Sequence, residues 1–204
     1  AWGRGQDVDD EDGDTLTGEA RGWILGDALH SRPLALNYGA IGSHTVENPL
    51  IRLFFGTNDG VFHIVENTDA AGVETGAEIA AFYPRAMLPN IKTLRENIQP
   101  STRMVYGVDG SPAVYVEDRN RDGNIVRSDG DRAYVYFGLR RGGSAYYALD
   151  VSNPNSRPRL RWKIERTSGG DFDELGLTFA DPVVGKVSFG SAATDVLIFA
   201  GGYN

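Results

Sequence analysis

The chain has 204 residues, of which 41% are hydrophobic and 24% are charged. This is enough apolar material for one sizeable packed domain and too short for two large ones. The formal net charge of −8 makes nucleic acid an unfavourable partner, because an acidic surface repels phosphate. The chain contains no cysteine, which excludes disulfides and thiolate metal sites. No apolar run approaches the roughly 20 residues of a membrane span.

Residues 1–22 form an acidic lead-in without the apolar core of a signal peptide. This start, and an end directly after a strand pattern, predict a fragment of a longer protein. The run DVDDEDGD, residues 7–14, alternates acids but places Gly13 ahead of the third acid. A metal site and a mobile, solvated terminus both remain open for this run, and the solvated terminus is the favoured interpretation.

Short runs rich in β-branched and aromatic residues follow, separated by Gly, Asn and Asp. The pattern predicts an all-β protein. The stretch FFGTNDGVFHI predicts a hairpin with a tight turn at Asn58, Asp59 and Gly60. The apolar spacing of AMLPNIKTLRENIQ predicts one short inserted helix over residues 87–99, which Pro100 ends.

The strand pattern repeats along the chain. Pro33, Pro112 and Pro182 each open an apolar strand, and a second apolar strand that ends in glycine follows each time. The period of roughly 70 to 80 residues exceeds the 40 to 50 of a minimal propeller blade, and insertions account for the difference. We assign residues 23–86 to blade unit one, 108–166 to blade unit two and 176–204 to the start of blade unit three. Four antiparallel strands per unit predict a β-propeller with modified blades, of which about two and a half are present, whereas a closed ring has four to eight.

The acidic segment of unit two matches the calcium loop of an EF-hand. Residues 118–129, DRNRDGNIVRSD, place glycine at the sixth position, where the loop turns sharply, and isoleucine at the eighth. The candidate calcium ligands are Asp118, Asn120, Asp122, the backbone carbonyl of Asn124, and Asp129. Val126 offers no side-chain oxygen at the ninth position, and either Asp129 or Asp131 supplies the last ligand. The alternative is a solvated acidic turn that binds no ion.

No enzyme signature is present. The chain has neither G-x-S-x-G nor H-E-x-x-H, and its three histidines do not cluster. The segment GLRRGGS lacks the lysine of a phosphate-binding loop. The sequence therefore predicts a protein that is not an enzyme.

Several long blocks resemble one known family. WILGDALHSRPLALNYG, FFGTNDGVFHIVE, YPRAMLPNIKTL, VDGSPAVYVED and FGLRRGGSAYYALDVSNP are similar, in order, to the C-terminal β-propeller of the PilY1/PilC family, the type IV pilus tip-associated adhesins. The resemblance implies a ring of about seven blades with one calcium loop, in which Asp118, Asn120, Asp122 and Asn124 match the ligand positions. Members of the family typically carry an acid where this chain has Val126, which implies closure by Asp129 or weaker binding.

The resemblance also implies a role. It predicts an exported protein at the cell surface, pilus tip, outer membrane or periplasm of a Gram-negative bacterium. The expected partners are minor pilins and a host-cell or abiotic surface. Calcium is expected to regulate pilus extension and retraction, twitching motility and attachment. Two alternatives remain open: a quinoprotein-dehydrogenase-like enzyme on the same fold, and a purely structural module that calcium stabilises.

Overall fold

The computed structural model describes residues 1–22, 24–96, 104–190 and 192–202. Ten strands within these ranges form three antiparallel sheets, and the predicted all-β class is confirmed. The strands are β1 Leu34–Asn37, β2 Ile51–Gly56, β3 Phe62–Glu66, β4 Glu78–Phe82, β5 Ala113–Glu117, β6 Arg132–Gly138, β7 Ala145–Asp150, β8 Arg159–Glu165, β9 Val183–Phe189 and β10 Ala192–Ile198.

The first two sheets have the same construction. Blade one contains β1 to β4 and blade two contains β5 to β8, in each case side by side in chain order. In both blades the register of the fourth strand shifts by one residue, which leaves Ile79 of β4 and Arg161 of β8 without a partner across the sheet. Such β-bulges increase the local twist of a sheet. The shared bulge supports the internal repeat that the sequence predicts.

The third sheet contains β9 and β10, which pair from Val183 opposite Ile198 to Phe189 opposite Ala192. Blade two lies between this pair and blade one. The hydroxyl of Tyr115 donates to Asp195 of β10 (3.0 Å), and the ring of Tyr146 packs on Phe199. The described residues thus form a partial β-propeller of two complete blades and two strands of a third.

The main core lies between blades one and two. Phe62 of β3 stacks on Phe137 of β6 with ring centroids 4.0 Å apart and an interplanar angle of 6°. Phe82 of β4 meets Tyr147 of β7 edge-on at 5.8 Å. Alternation along β6 buries Val135 and Phe137 on this side, since successive side chains of a strand point to opposite faces.

A glycine ends the second strand of blades one and two, where the chain entering the next blade crosses. A Cβ atom on Gly56 would lie 2.1 Å from the carbonyl oxygen of Val108, and one on Gly138 would lie 3.0 Å from the Thr178 hydroxyl. The crossing chains are held there by hydrogen bonds, from the Val108 N–H to the Thr57 carbonyl (2.9 Å) and from the Leu139 N–H to the Thr178 hydroxyl (2.9 Å).

The hairpin of β2 and β3 is confirmed with its tight turn, since the Gly60 N–H donates to the Thr57 carbonyl (3.1 Å) across Asn58 and Asp59. One local element differs from the sequence predictions. The inserted helix begins as a 3₁₀ helix, Arg85–Asn90, and continues as α1, Ile91–Glu96. Pro89 lies inside the 3₁₀ segment and has no N–H to donate, so α-helical hydrogen bonding starts after it. The predicted residues 97–99 and Pro100 lie outside the described residues.

Within the described part of the chain, no helix combines the length and the apolar character that crossing a membrane requires.

Candidate metal centre

The acidic loop connects β5 to β6, the first two strands of blade two. Its first half winds around the carboxylate of Asp118, which accepts the N–H of Arg121 (2.7 Å) on one oxygen and the N–H of Gly123 (2.9 Å) on the other. Gly123 has a φ of +82°, a conformation that glycine adopts without steric cost. A carboxylate offers about four acceptor sites, so Asp118 retains room for a cation.

Three candidate ligands converge in the loop. The amide nitrogen of Asn120 lies 3.1 Å from an Asp122 carboxylate oxygen and 3.5 Å from one of Asp129. The other Asp122 oxygen accepts the Asn124 N–H (2.8 Å). The polar amide group of Asn120 therefore separates two carboxylates that would otherwise repel each other.

Asp131 has a different environment. It is 2% exposed, and its two oxygens accept the N–H groups of Val126 and Arg119, each at 2.9 Å. These two hydrogen bonds lower the pKa of the Asp131 carboxyl, and the bond from Val126 has the larger effect. Asp131 is therefore a buried acceptor that braces the loop between Arg119 and Val126. Asp129, which is exposed, is the carboxylate that faces Asn120.

The donor set fits a hard cation. Side-chain oxygens of four residues and the carbonyl of Asn124 are all oxygen donors, and calcium takes six to eight such ligands, with water completing the shell. Within the described residues, trios of carboxylates with oxygens inside 4.8 Å of one another occur in the N-terminal segment, and the loop does not form such a trio. The ligands of the loop are instead carboxylates mixed with asparagine. The four donor side chains are Asp118, Asn120, Asp122 and Asp129.

The second half of the loop contacts blade one. The Ile125 N–H donates to the carbonyl of Tyr38 (2.9 Å), and the side-chain oxygen of Asn124 accepts the Ala40 N–H (2.8 Å). Ile125 is 4% exposed and belongs to the core between the blades. Sequence reasoning missed this contact. The only signal for it was the glycine of NYGAIG directly after β1, since such a glycine marks a special backbone conformation or a close approach.

The N-terminal acidic run is not a solvated terminus throughout. Asp7 is 1% exposed and accepts the N–H groups of Asp9 and Glu11. Electrostatic repulsion from neighbouring carboxylates raises the pKa of Glu19, and Asp14 contributes most to it. Hydrogen bonds within the turn account for the buried Asp7. The carboxylate trios of this segment are Asp7, Asp12 and Glu19, and Asp10, Asp12 and Asp14.

Two of the histidines bind carboxylates that lie apart from the loop. His30 Nδ1 lies 2.7 Å from Asp109 Oδ1, and His63 Nδ1 lies 2.6 Å from Glu78 Oε2. His63 Nε2 lies 3.0 Å from the Thr57 hydroxyl, which completes a chain of hydroxyl, imidazole and carboxylate. Thr57 is 1% exposed and also contacts the Val61 carbonyl. The hydroxyl is therefore inaccessible to a substrate.

Two four-stranded antiparallel blades pack face to face, and an EF-hand-like acidic loop joins the first two strands of the second blade. These features define the chain as a β-propeller segment. A type IV pilus biogenesis factor PilY1 homologue of Xylella fastidiosa is 31% identical over 189 residues, which cover 84% of this chain and 14% of that protein. The type IV pilus biogenesis factor PilY1 of Pseudomonas aeruginosa is 27% identical over 192 residues, 85% of this chain and 15% of that protein. The chain belongs to the PilY1 family.

The chain thus spans only 14% and 15% of the length of these two relatives. Among solved structures, the crystal structure of the Pseudomonas aeruginosa PilY1 C-terminal domain is similar with a TM-score of 0.49 and 24% identity, covering 76% of this chain and 25% of that chain. No protein-family model matches the chain.

Proposed function

We propose that the chain is a calcium-binding propeller segment of a type IV pilus biogenesis factor and that loop 118–129 holds the ion. The observation that carries the proposal is the convergence of Asn120, Asp122 and Asp129 in a loop wound around Asp118. Asp131 is buried and is not a ligand in this proposal. The ligands are Asp118, Asn120, Asp122, the Asn124 carbonyl and Asp129.

Calcium supplies positive charge among the carboxylates. The loop residues hold the ion, and in return three acidic side chains stay close without mutual repulsion. The affinity of such loops depends on the number of charged ligands. Because Val126 replaces an acid at the ninth position, we expect weaker binding than in loops with a complete acidic set.

Calorimetric titration of the 204-residue chain with calcium tests the site. We expect saturable binding at one site in the wild type and its loss in Asp122→Ala. Asp171→Ala is the matched control, because Asp171 is an exposed acid in another turn, and this variant is expected to bind as the wild type does. Equal binding by Asp122→Ala and the wild type would assign calcium to another part of the chain.

The names of the relatives, type IV pilus biogenesis factors, support the assignment to the pilus, and the following cellular details complete the proposal. The whole protein is exported, reaches the cell surface or pilus tip, and acts with minor pilins and a host-cell or abiotic surface. Calcium in the loop regulates pilus extension and retraction, and thereby twitching motility and attachment. This part depends on relatives of which the chain matches a small share.

A chromosomal Asp122→Ala substitution in the encoding bacterium tests the cellular role, with Asp171→Ala as control. We expect unchanged protein level but reduced twitching zones and attachment that no longer respond to added calcium. A strain that responds to calcium as the parent does would separate the loop from pilus regulation.

That the chain is not an enzyme stays a prediction. Incubation with pyrroloquinoline quinone and an alcohol tests it, and we expect neither a bound quinone spectrum nor oxidation of the alcohol. Either signal would favour the quinoprotein alternative.

A further inference from the structure

The calcium loop of blade two shares its hydrogen bonds with blade one. Asn124 stands at the centre of this arrangement: its N–H donates to Asp122 and its side-chain oxygen accepts from Ala40 of blade one. In the proposed site its carbonyl is a calcium ligand. One residue therefore contacts a ligand of the ion, the ion itself and the neighbouring blade.

The blade-one side of this contact has a conformation that only a small residue permits. Gly39 has a φ of +87°, and a Cβ atom there would lie 2.4 Å from the Asn124 side-chain oxygen and 2.5 Å from the Gly123 carbonyl oxygen. Tyr38, which precedes it, is fully buried, and its hydroxyl donates to the Val151 carbonyl of blade two (2.7 Å). Segment 38–40 thus contacts blade two twice, through the Tyr38 hydroxyl and through the close approach of Gly39 to the acidic loop.

We infer that calcium binding and the docking of blade one on blade two are coupled, so that each strengthens the other. This inference rests on the proposed calcium site. Coupling between two binding events is reciprocal by thermodynamic necessity. An ion that orders residues 122–125 therefore strengthens the contact with segment 38–40, and a perturbed segment 38–40 weakens the affinity for the ion. Calcium acts as a clamp between two blades and orders more than its own loop.

Gly39→Ala tests the coupling, because it alters blade one, which supplies none of the proposed calcium ligands, and its effect is measured on calcium affinity. We expect its calcium dissociation constant to rise about fivefold or more, the lower end of typical coupling factors. Gly42→Ala is the matched control: Gly42 lies in the same connection and has a φ of +64°, but an added Cβ would meet nothing within 4 Å. This control imposes the same kind of backbone strain without the contact to the loop, and we expect the wild-type affinity.

Asn124→Ala provides a second test in case Gly39→Ala does not fold, which circular dichroism would reveal. It removes the side-chain acceptor of Ala40 and keeps the backbone carbonyl in place. We expect weaker calcium binding by a similar factor. Hydrogen exchange of the wild type with and without calcium gives an independent readout, and we expect calcium to protect residues 38–50 as well as residues 118–129.

The outcomes separate this inference from the proposed function. If calcium binds and protects the loop, but residues 38–50 do not respond and both variants keep wild-type affinity, the site stands and the coupling is wrong. If the wild type shows no saturable binding, the proposed function is overturned and the coupling with it. Weaker binding in Gly39→Ala and Asn124→Ala, beside wild-type binding in Gly42→Ala, supports the clamp.

Discussion

Asp129 and Asp131 lie two positions apart, but Asp129 is exposed and Asp131 is buried. The sequence alone could not say which of the two carboxylates is the candidate ligand. Both fit the last position of the EF-hand pattern as acids near the end of the loop. Burial and hydrogen bonding separate them, since Asp131 binds two backbone N–H groups and Asp129 faces Asn120. We predict that Asp129→Asn lowers calcium affinity by roughly tenfold or more, in the range of altered metal sites, and leaves the unfolding of the ion-free protein unchanged.

Asp131→Asn is expected to behave in the opposite way in the ion-free protein. An amide has one acceptor oxygen, so either Arg119 or Val126 would lose its acceptor and face an N–H₂ group. We predict a lower urea midpoint in the presence of a chelator. Urea unfolding and calcium titration of both variants check the pair. Equal effects of the two substitutions in both assays would contradict the assigned roles.

The lowered pKa of Asp131 also predicts a dependence of stability on pH. A carboxyl whose pKa is lower in the folded than in the unfolded protein contributes stability that is fully present above the unfolded value, here near 3.8. The contribution is lost as the pH falls through the lower folded value. Urea midpoints of the ion-free chain at pH 5, 4 and 3 should therefore decline, and the decline should be smaller in Asp131→Asn. Parallel curves would assign the acid sensitivity to other carboxylates.

At the scale of elements, strand positions were the most predictable feature. Alternating β-branched and aromatic residues report burial directly, as in β2, where half-buried and buried residues alternate from Ile51 to Gly56. The EF-hand pattern located the loop because its glycine and alternate acids are local requirements. The tight turn after β2 was predictable from Asn58, Asp59 and Gly60, because these residue types favour such turns. The 3₁₀ start of the inserted helix escaped prediction, because apolar spacing locates a helix without fixing its hydrogen-bond pattern.

The glycine at the end of β2 is expected to be necessary for folding. In Gly56→Ala the new Cβ would collide with the carbonyl oxygen of Val108, a backbone atom that cannot rotate away. We predict a loss of about 1–3 kcal/mol or more in the free energy of unfolding, as for overpacked sites. Gly185→Ala is the control, since its Cβ would meet only the Ile198 side chain at 3.8 Å, and strand alanine is favoured over glycine by about 0.5–1 kcal/mol. Chemical denaturation of the two variants measures both effects, and equal stability would contradict the crossing at Gly56.

At the scale of the whole molecule, the repeat in the sequence predicted blades but not how they contact each other. Strands and insertions could be counted from the openings at Pro33, Pro112 and Pro182. The docking of the acidic loop on segment 38–40 joins residues more than 80 positions apart, as in the Ala40–Asn124 hydrogen bond. No local pattern encodes such a pair, because it depends on the relative placement of two finished sheets.

The stacked aromatic core predicts that blades one and two unfold as one unit. Phe137 is fully buried and stacks on Phe62 across the interface, so its removal leaves a cavity that both blades line. We predict that Phe137→Ala lowers the free energy of unfolding by about 3–5 kcal/mol, and that hydrogen exchange accelerates equally in β2, β3, β6 and β7. Phe172→Ala, at an exposed aromatic residue, should change stability by less than about 0.5 kcal/mol. Faster exchange confined to β6 and β7 would mean that blade one is stable without its neighbour. In that case the contact between the blades would join two units that are each stable alone.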